Sequence, residues 1–214
     1  MIRLQFKSKN LKFQNILQQF YKYIRIGNIG LSVLVVAVSI YLVIAPLIPE
    51  LLYHLDPPSK KPSRLVEYTQ EGDDQQQSSF IPDENTLIIP KIGVDGIIRL
   101  SDPEYALNNG FWRRAGTSSP DKGGNTVITG HRFLYTSGPD TFYHLDKLEK
   151  GDQITVFWNG KRYDYSVDKK IIVEPTQIEY EENTEEPILT LYTCTPLFTA
   201  SKRLIIIARP IFVS

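Results

Sequence analysis

The stretch DQITVFWNGKRYDYSV, residues 152–167, decides the fold class of this chain. Its Asn159-Gly160 pair predicts a tight hairpin, because a two-residue type I′ turn needs positive φ at both central positions. Side chains that share one face alternate with their neighbours along both flanking runs, as in β-strands. They are Ile154, Val156 and Trp158 before the turn and Tyr163, Tyr165 and Val167 after it. The stretch therefore predicts an antiparallel β-hairpin.

Further runs rich in β-branched and aromatic residues lie on both sides of this hairpin. They are residues 86–92, 96–100, 125–130, 188–194 and 203–208. The last contains LIIIA, which is apolar at every position and typical of a central strand covered on both faces. Residues 103–109 and 139–148 each end near a glycine and predict short helices. Residues 82–214 are therefore predicted to form a mainly β domain, a closed or nearly closed barrel with two short helices.

The amino-acid composition of the chain excludes several classes of protein. With 214 residues, 42% hydrophobic and 11% aromatic, the chain can bury a real core, which excludes wholesale disorder and collagen-like structure. One cysteine excludes an intramolecular disulfide, and the cysteine and three histidines lack the paired spacings of a structural zinc site. Residues 82–214 hold fifteen basic and eighteen acidic residues, and this mild acidity argues against nucleic acid as a partner.

An uncharged stretch at residues 27–49 predicts a transmembrane helix. About 20 residues at ~1.5 Å each span the ~30 Å hydrocarbon core. Residues 1–26 carry six basic residues and no acidic one. The positive-inside rule therefore predicts a cytoplasmic N-terminal segment and an extracytoplasmic domain, in a single-pass plasma-membrane protein. A signal peptide is the alternative, but its apolar region would be only ~7–15 residues long, and Ala45 is followed by Pro46 rather than by a cleavage site.

Residues 50–81 separate this helix from the predicted domain. They include PPSKKPS and EGDDQQQSS, which hold proline, charge, glutamine and serine but few large apolar side chains. Such a segment buries too little surface to offset its conformational entropy. We therefore predict a flexible extracytoplasmic linker, with residues 51–54 at the membrane edge.

The lone cysteine, Cys194, ends a predicted strand in TLYTCTP, residues 190–196. Free cysteines are among the most buried residues, so the position alone favours an inert thiol. A reactive cysteine needs a neighbour that stabilises its thiolate or accepts its proton. His131 is the candidate, because imidazole exchanges a proton near neutral pH. Arg203 could hold a substrate carbonyl or an oxyanion.

Three motifs resemble those of the sortase family and occur in the family's order. They are ITGHR at residues 128–132, TLYTCTP at residues 190–196 and SKRLIIIA at residues 201–208. The similarity extends through residues 86–98, 106–131 and 142–156, so that it covers about 130 of the 214 residues. It implies a closed eight-stranded sortase-type β-barrel. The class is not resolved between D and E.

The resemblance also implies a reaction and a role for each residue. Cys194 would attack the Thr–Gly bond of an LPxTG-like C-terminal sorting signal on a secreted protein and form a thioester. An amine acceptor of the cell wall, such as a wall precursor, would then resolve it. His131 would protonate the leaving amine and deprotonate the incoming one, while Arg203 would hold the carbonyl or the oxyanion.

Weaker candidates surround these residues. Thr129, Gly130 and Thr193 adjoin the histidine and the cysteine, and they are candidate substrate-binding residues, although a strand threonine usually only packs. His144 is expected to have a surface or capping role. Some sortases bind calcium through an acidic loop that corresponds to residues 174–186, which hold six glutamates here. We interpret this loop as solvated and predict no metal site and no cofactor.

Two other functions could be considered for a chain with a membrane anchor and a single cysteine. An L,D-transpeptidase would carry histidine two residues before the cysteine, where this chain has Tyr192, and this disfavours that enzyme. A non-catalytic, membrane-tethered β-domain that binds wall polymer or a protein partner remains open. It predicts an unreactive Cys194 whose replacement has no effect.

Overall fold

A computed structural model describes residues 2–58, 82–135 and 141–211 of the chain. The chain divides into two compact units, Met1–Ile48 and Pro49–Ser214. The N-terminal unit contains α1, Ile2–Ile44, followed by a 3-10 turn at Ala45–Leu47. Helical residues Leu17–Leu55 include a window of mean hydropathy 2.7, and among the described residues this stretch alone is long and apolar enough to cross a membrane. It fits the predicted single-pass anchor.

The start of the predicted linker is helical. Helix α2, Ile48–Leu55, lies from Pro49 onward in the same compact unit as the C-terminal domain. Its sequence IPELLYHL is apolar enough to form a packed helix, unlike the polar stretch that follows it. The rest of the predicted linker, residues 59–81, lies outside the described residues.

The C-terminal unit is a closed eight-stranded β-barrel, as predicted. Its strands are β1 Thr86–Ile89, β2 Val94–Arg99, β3 Phe111–Arg113, β4 Asn125–Thr129, β5 Gln153–Trp158, β6 Lys161–Val173, β7 Ile188–Thr195 and β8 Lys202–Pro210. They are ordered β1-β2-β3-β4-β7-β8-β6-β5, and β5 pairs with β1 to close the barrel. The pairs β2–β3 and β4–β7 are parallel and the others are antiparallel.

The predicted hairpin is confirmed. Strands β5 and β6 pair with Trp158 opposite Lys161. Asn159 and Gly160 between them have φ of 49° and 71°, the positive values that the turn requires. Strand β3 is only three residues long, and its sequence FWR is too short to be found from a periodic pattern.

The two predicted helices differ in outcome. The first is α3, Pro103–Asn108. Of the second, residues 139–140 lie outside the described residues, and the described residues 141–148 contain one 3-10 turn, Leu145–Lys147. Phe142, Leu145 and Leu148 are fully buried, and this spacing of three residues matches the three residues per turn of a 3-10 helix.

Residues that face the barrel core alternate with residues that face outward along β7 and β8. Core side chains on these strands are Leu189, Leu191, Leu204, Ile206 and Ala208. Cys194, Arg203 and Ile205 occupy alternate positions and therefore face outward. Ile205 is nevertheless only 3% exposed. The predicted two-sided burial of this strand is thus seen at Ile205, while the next outward residue, Ile207, is partly buried.

Candidate active site

Cys194 and Arg203 are directly opposite each other on neighbouring strands. Residues of β7 and β8 pair antiparallel, with Cys194 opposite Arg203. Cross-strand partners project to the same face, so both side chains lie on the outer face of the barrel, where each is half-buried. The Arg203 Nη1 donates to the carbonyls of Ala200 and Lys202 at 3.2 and 3.1 Å, which anchors the guanidinium at the start of β8.

His131 reaches the other side of Cys194 through the parallel pairing of β4 with β7. Thr129 is the partner of Tyr192 in this pairing, so the same register continued by two residues brings His131 level with Cys194. The Phe142 N–H donates to the His131 carbonyl at 2.8 Å and fixes the backbone there. The imidazole is half-buried, and this burial lowers its pKa from the ordinary value.

The three candidate residues therefore form one row on the outer face. The row runs from His131, two residues beyond the end of β4, through Cys194 on β7 to Arg203 on β8, and these three strands are neighbours in the barrel. Adjacent strands lie ~4.8 Å apart, so the backbones of Cys194 and Arg203 are roughly 5 Å apart. A thiol between a proton carrier and a fixed cation is the arrangement that nucleophilic acyl transfer needs.

Gly130 and Thr193 lie on the inner face beneath this row, whereas Thr129 lies on the outer face, level with Tyr192. All three are buried, and Thr193 is only 1% exposed. The Thr193 hydroxyl donates to the Gly130 carbonyl at 2.8 Å, and the Thr129 hydroxyl donates to the Tyr192 carbonyl at 3.1 Å. Their hydrogen bonds run to the backbone of the neighbouring strand. We therefore interpret these residues as joining β4 to β7 beside the row rather than as contacting a substrate.

Gly130→Ala is expected to destabilise the domain. A Cβ at this position would lie 2.8 Å from the Phe111 ring and 3.0 Å from the Phe142 ring, both of which are fully buried. Overpacking of this kind costs about 1–3 kcal/mol. Denaturant unfolding of both proteins measures the loss, with exposed Ser201→Ala as the control. An unchanged unfolding midpoint would contradict this close packing.

Comparison with known proteins shows the family of this chain. Residues 87–211 match the model of the sortase domain family. This chain belongs to the sortase family. It is 32% identical to sortase D of Bacillus subtilis (strain 168) over 161 residues, which cover 69% of this chain and 76% of that relative. Sortases are cysteine transpeptidases that act on proteins with sorting signals and on cell-wall acceptors.

Solved sortase structures share the fold. Sortase C1 of GBS pilus island 1 is 30% identical, with a TM-score of 0.57 over 69% of this chain and 75% of that one. Sortase A of Corynebacterium diphtheriae is 25% identical, with a TM-score of 0.56 over 73% of this chain and 72% of that one.

The acidic loop of this sortase is partly neutralised by neighbouring strands. The ion pairs are Glu174 with Lys202, Glu181 with Arg114 and Glu186 with Arg209. Within the described residues, no group of three or more His, Cys, Asp or Glu side chains is arranged to hold a metal ion. Independence from calcium and from cofactors stays a prediction.

Tyr192, Arg114 and Glu181 were not identified from the sequence as parts of the site. Tyr192 lies on the outer face two residues before Cys194, and burial together with the Glu181 carboxylate raises the pKa of its phenol. Arg114 lies over the Trp112 ring, 5.8 Å from its centroid. These residues belong to three separate segments, and no local motif joins them.

Proposed function

We propose that this sortase is a membrane-anchored enzyme that cleaves an LPxTG-like C-terminal sorting signal between Thr and Gly and transfers the protein to an amine of the cell wall. The observation that supports this most is the strand register, which pairs Cys194 with Arg203 and, continued two residues past Thr129, brings His131 to the other side of Cys194. A non-catalytic binding domain has no need for such a row.

The first half-reaction makes a thioester. The Cys194 thiolate attacks the threonine carbonyl carbon, and the carbonyl oxygen becomes an oxyanion beside the Arg203 guanidinium. The C–N bond then breaks as the protonated His131 gives its proton to the departing glycine nitrogen. The released fragment carries a free amine, and the new C–S bond holds the substrate protein.

The second half-reaction reverses these roles. The acceptor amine attacks the thioester carbonyl, and neutral His131 takes a proton from its nitrogen. Collapse of the tetrahedral intermediate breaks the C–S bond and restores the thiolate. Water competes with the amine and gives slow hydrolysis, so the amine must reach the thioester faster than water does.

The location of the enzyme follows from its N-terminal unit. We infer a cytoplasmic N-terminus, a single plasma-membrane crossing and an extracytoplasmic barrel, supported by the uncharged residues 27–49 within the apolar helical stretch Leu17–Leu55 and by the six basic residues before residue 27. The partners in this proposal are secreted proteins that bear sorting signals, a cell-wall amine and the lipid bilayer.

A direct assay tests the reaction. The full-length protein in detergent is incubated with an LPxTG-type peptide library, with and without an amine acceptor, and the products are identified by mass spectrometry. Cleavage after threonine with an amine adduct supports the proposal and defines the motif. No cleavage, no thioester and no labelling of Cys194 by a thiol reagent would support the binding domain instead.

Arg203→Ala is expected to lower kcat about 10²–10³-fold, as loss of one oxyanion donor does in other acyl-transfer enzymes. The neighbouring Lys202→Ala is the matched control, since Lys202 is exposed and pairs with Glu174 at 3.3 Å. Steady-state kinetics of both variants measure the difference. Equal losses in the two variants would contradict a specific role for Arg203.

A further inference from the structure

Helix α2 lies outside the family-matched residues 87–211 and docks on the segment that follows His131. The Glu50 Oε1 lies 2.7 Å from Lys147 Nζ, and Oε2 lies 3.6 Å from His144 Nδ1. The Tyr53 ring packs against the His144 ring with centroids 4.4 Å apart. One face of α2 thus combines an ion pair with a ring contact.

The contact excludes water from the His144 ring. The side chain of His144 is only 11% exposed, and burial lowers its pKa, although the Glu50 carboxylate opposes this shift. The remaining charged groups around the ring are Asp146, Lys147 and Arg132. A neutral imidazole fits the packing against Tyr53, and the Glu50 hydrogen bond raises the pKa of Lys147 and keeps that pair charged.

The docked segment in turn holds the backbone that carries His131. The Phe142 N–H donates to the His131 carbonyl at 2.8 Å. The next residue, Arg132, donates from Nη2 to Asp146 at 2.8 Å, and its guanidinium lies over the Tyr143 ring at 5.9 Å. His131 and the residue after it are therefore both held by residues 142–146.

This segment has little structure of its own to keep it in place. Its regular part is one 3-10 turn, Leu145–Lys147. Isolated turns of this length are not stable in water, so their position depends on the surfaces packed against them. The barrel core holds one side of the segment through Phe142, Leu145 and Leu148, and α2 holds His144 and Lys147.

We propose that Glu50 and Tyr53 are positioning residues, which act through residues 142–147 to keep His131 level with Cys194. The proposal rests on the proposed function, in which His131 moves the proton. A displacement of about 1 Å in such a group can cost up to 10²-fold in rate. The membrane-proximal helix is then part of the catalytic unit rather than the start of a passive linker.

The test compares variants of the full-length protein in detergent. Tyr53→Ala removes the ring contact, and Leu52→Ala is the matched control because its side chain is 56% exposed. Tyr53→Phe keeps the ring, and Glu50→Gln keeps the shape while removing the charge. We expect Tyr53→Ala to lower kcat about 10-fold, because a small displacement of His131 is enough to slow proton transfer by about this factor. KM should change less than about 2-fold. Tyr53→Phe should retain the activity that Tyr53→Ala loses.

Two readouts separate positioning from general stability and from turnover. Hydrogen exchange of residues 141–148 should speed up in Tyr53→Ala and Glu50→Gln but not in Leu52→Ala. The pH profile of Cys194 alkylation should shift in the same two variants. If the wild type turns over and Tyr53→Ala matches Leu52→Ala in kcat and exchange, the proposal is overturned while the proposed function stands. If the wild type does not turn over, exchange and alkylation still decide whether α2 positions His131.

Discussion

Cys194→Ala is expected to abolish thioester formation and transpeptidation, with a loss of at least about 10⁴-fold in kcat. Alanine provides no nucleophile, and Cys194 is the only cysteine of the chain, so no second thiol can replace it. The side chain faces outward and is half-buried, away from the barrel core. The free energy of unfolding should therefore change by less than about 1 kcal/mol.

Three measurements check this prediction together. Mass spectrometry detects the acyl-enzyme, the amine adduct is quantified over time, and denaturant unfolding establishes that the variant is folded. A folded Cys194→Ala protein that still forms adduct would exclude Cys194 as the nucleophile. An unreactive thiol in the wild type would favour the binding domain.

His131→Gln is expected to lower kcat/KM about 10²–10⁴-fold, the usual contribution of general acid–base catalysis. Glutamine keeps a polar side chain of similar reach but cannot exchange a proton. His131→Ala should recover part of the activity when free imidazole is added, because the buffer base can then enter the vacated space. A loss that imidazole does not restore and that follows a fall in unfolding temperature would indicate a structural role.

The pH profile of the wild type gives a second check on His131. Burial disfavours the charged imidazolium, so the pKa of this side chain lies below the ordinary value of about 6.5. The reaction needs thiolate and imidazolium together, and kcat/KM should therefore be bell-shaped with one limb below pH ~6.5. That limb should disappear in His131→Gln. A single limb in the wild type, unchanged by the substitution, would contradict the assignment.

Much of the fold could be predicted from local sequence patterns. Asn159-Gly160 predicted the hairpin because the turn depends on two residues alone, and the apolar run in β8 predicted a strand buried on both faces. Strand β3 was missed because three residues carry no periodic pattern. Within the helix predicted at residues 139–148, the described residues 141–148 form one 3-10 turn, since burial of every third residue overrode the local helix signal.

The candidate site was predicted less completely than the fold. The sequence singled out His131, Cys194 and Arg203 through their motifs. It did not show that Thr129, Gly130 and Thr193 are buried, which depends on how β4 pairs with β7. It also assigned residues 50–55, which form most of α2, to a flexible linker, because composition was averaged over residues 50–81.

The sequence by itself determined the membrane-anchored organisation that we propose, the mainly β class of the domain and the three residues on which the chemistry is proposed to depend. These follow from hydropathy, short-range periodicity and motifs, which are properties of neighbouring residues. Only the tertiary structure decided that His131, Cys194 and Arg203 share one outer face and that Glu50 meets Lys147 across 97 positions of the chain. Such pairings depend on strand register and burial, which form only when distant segments pack together.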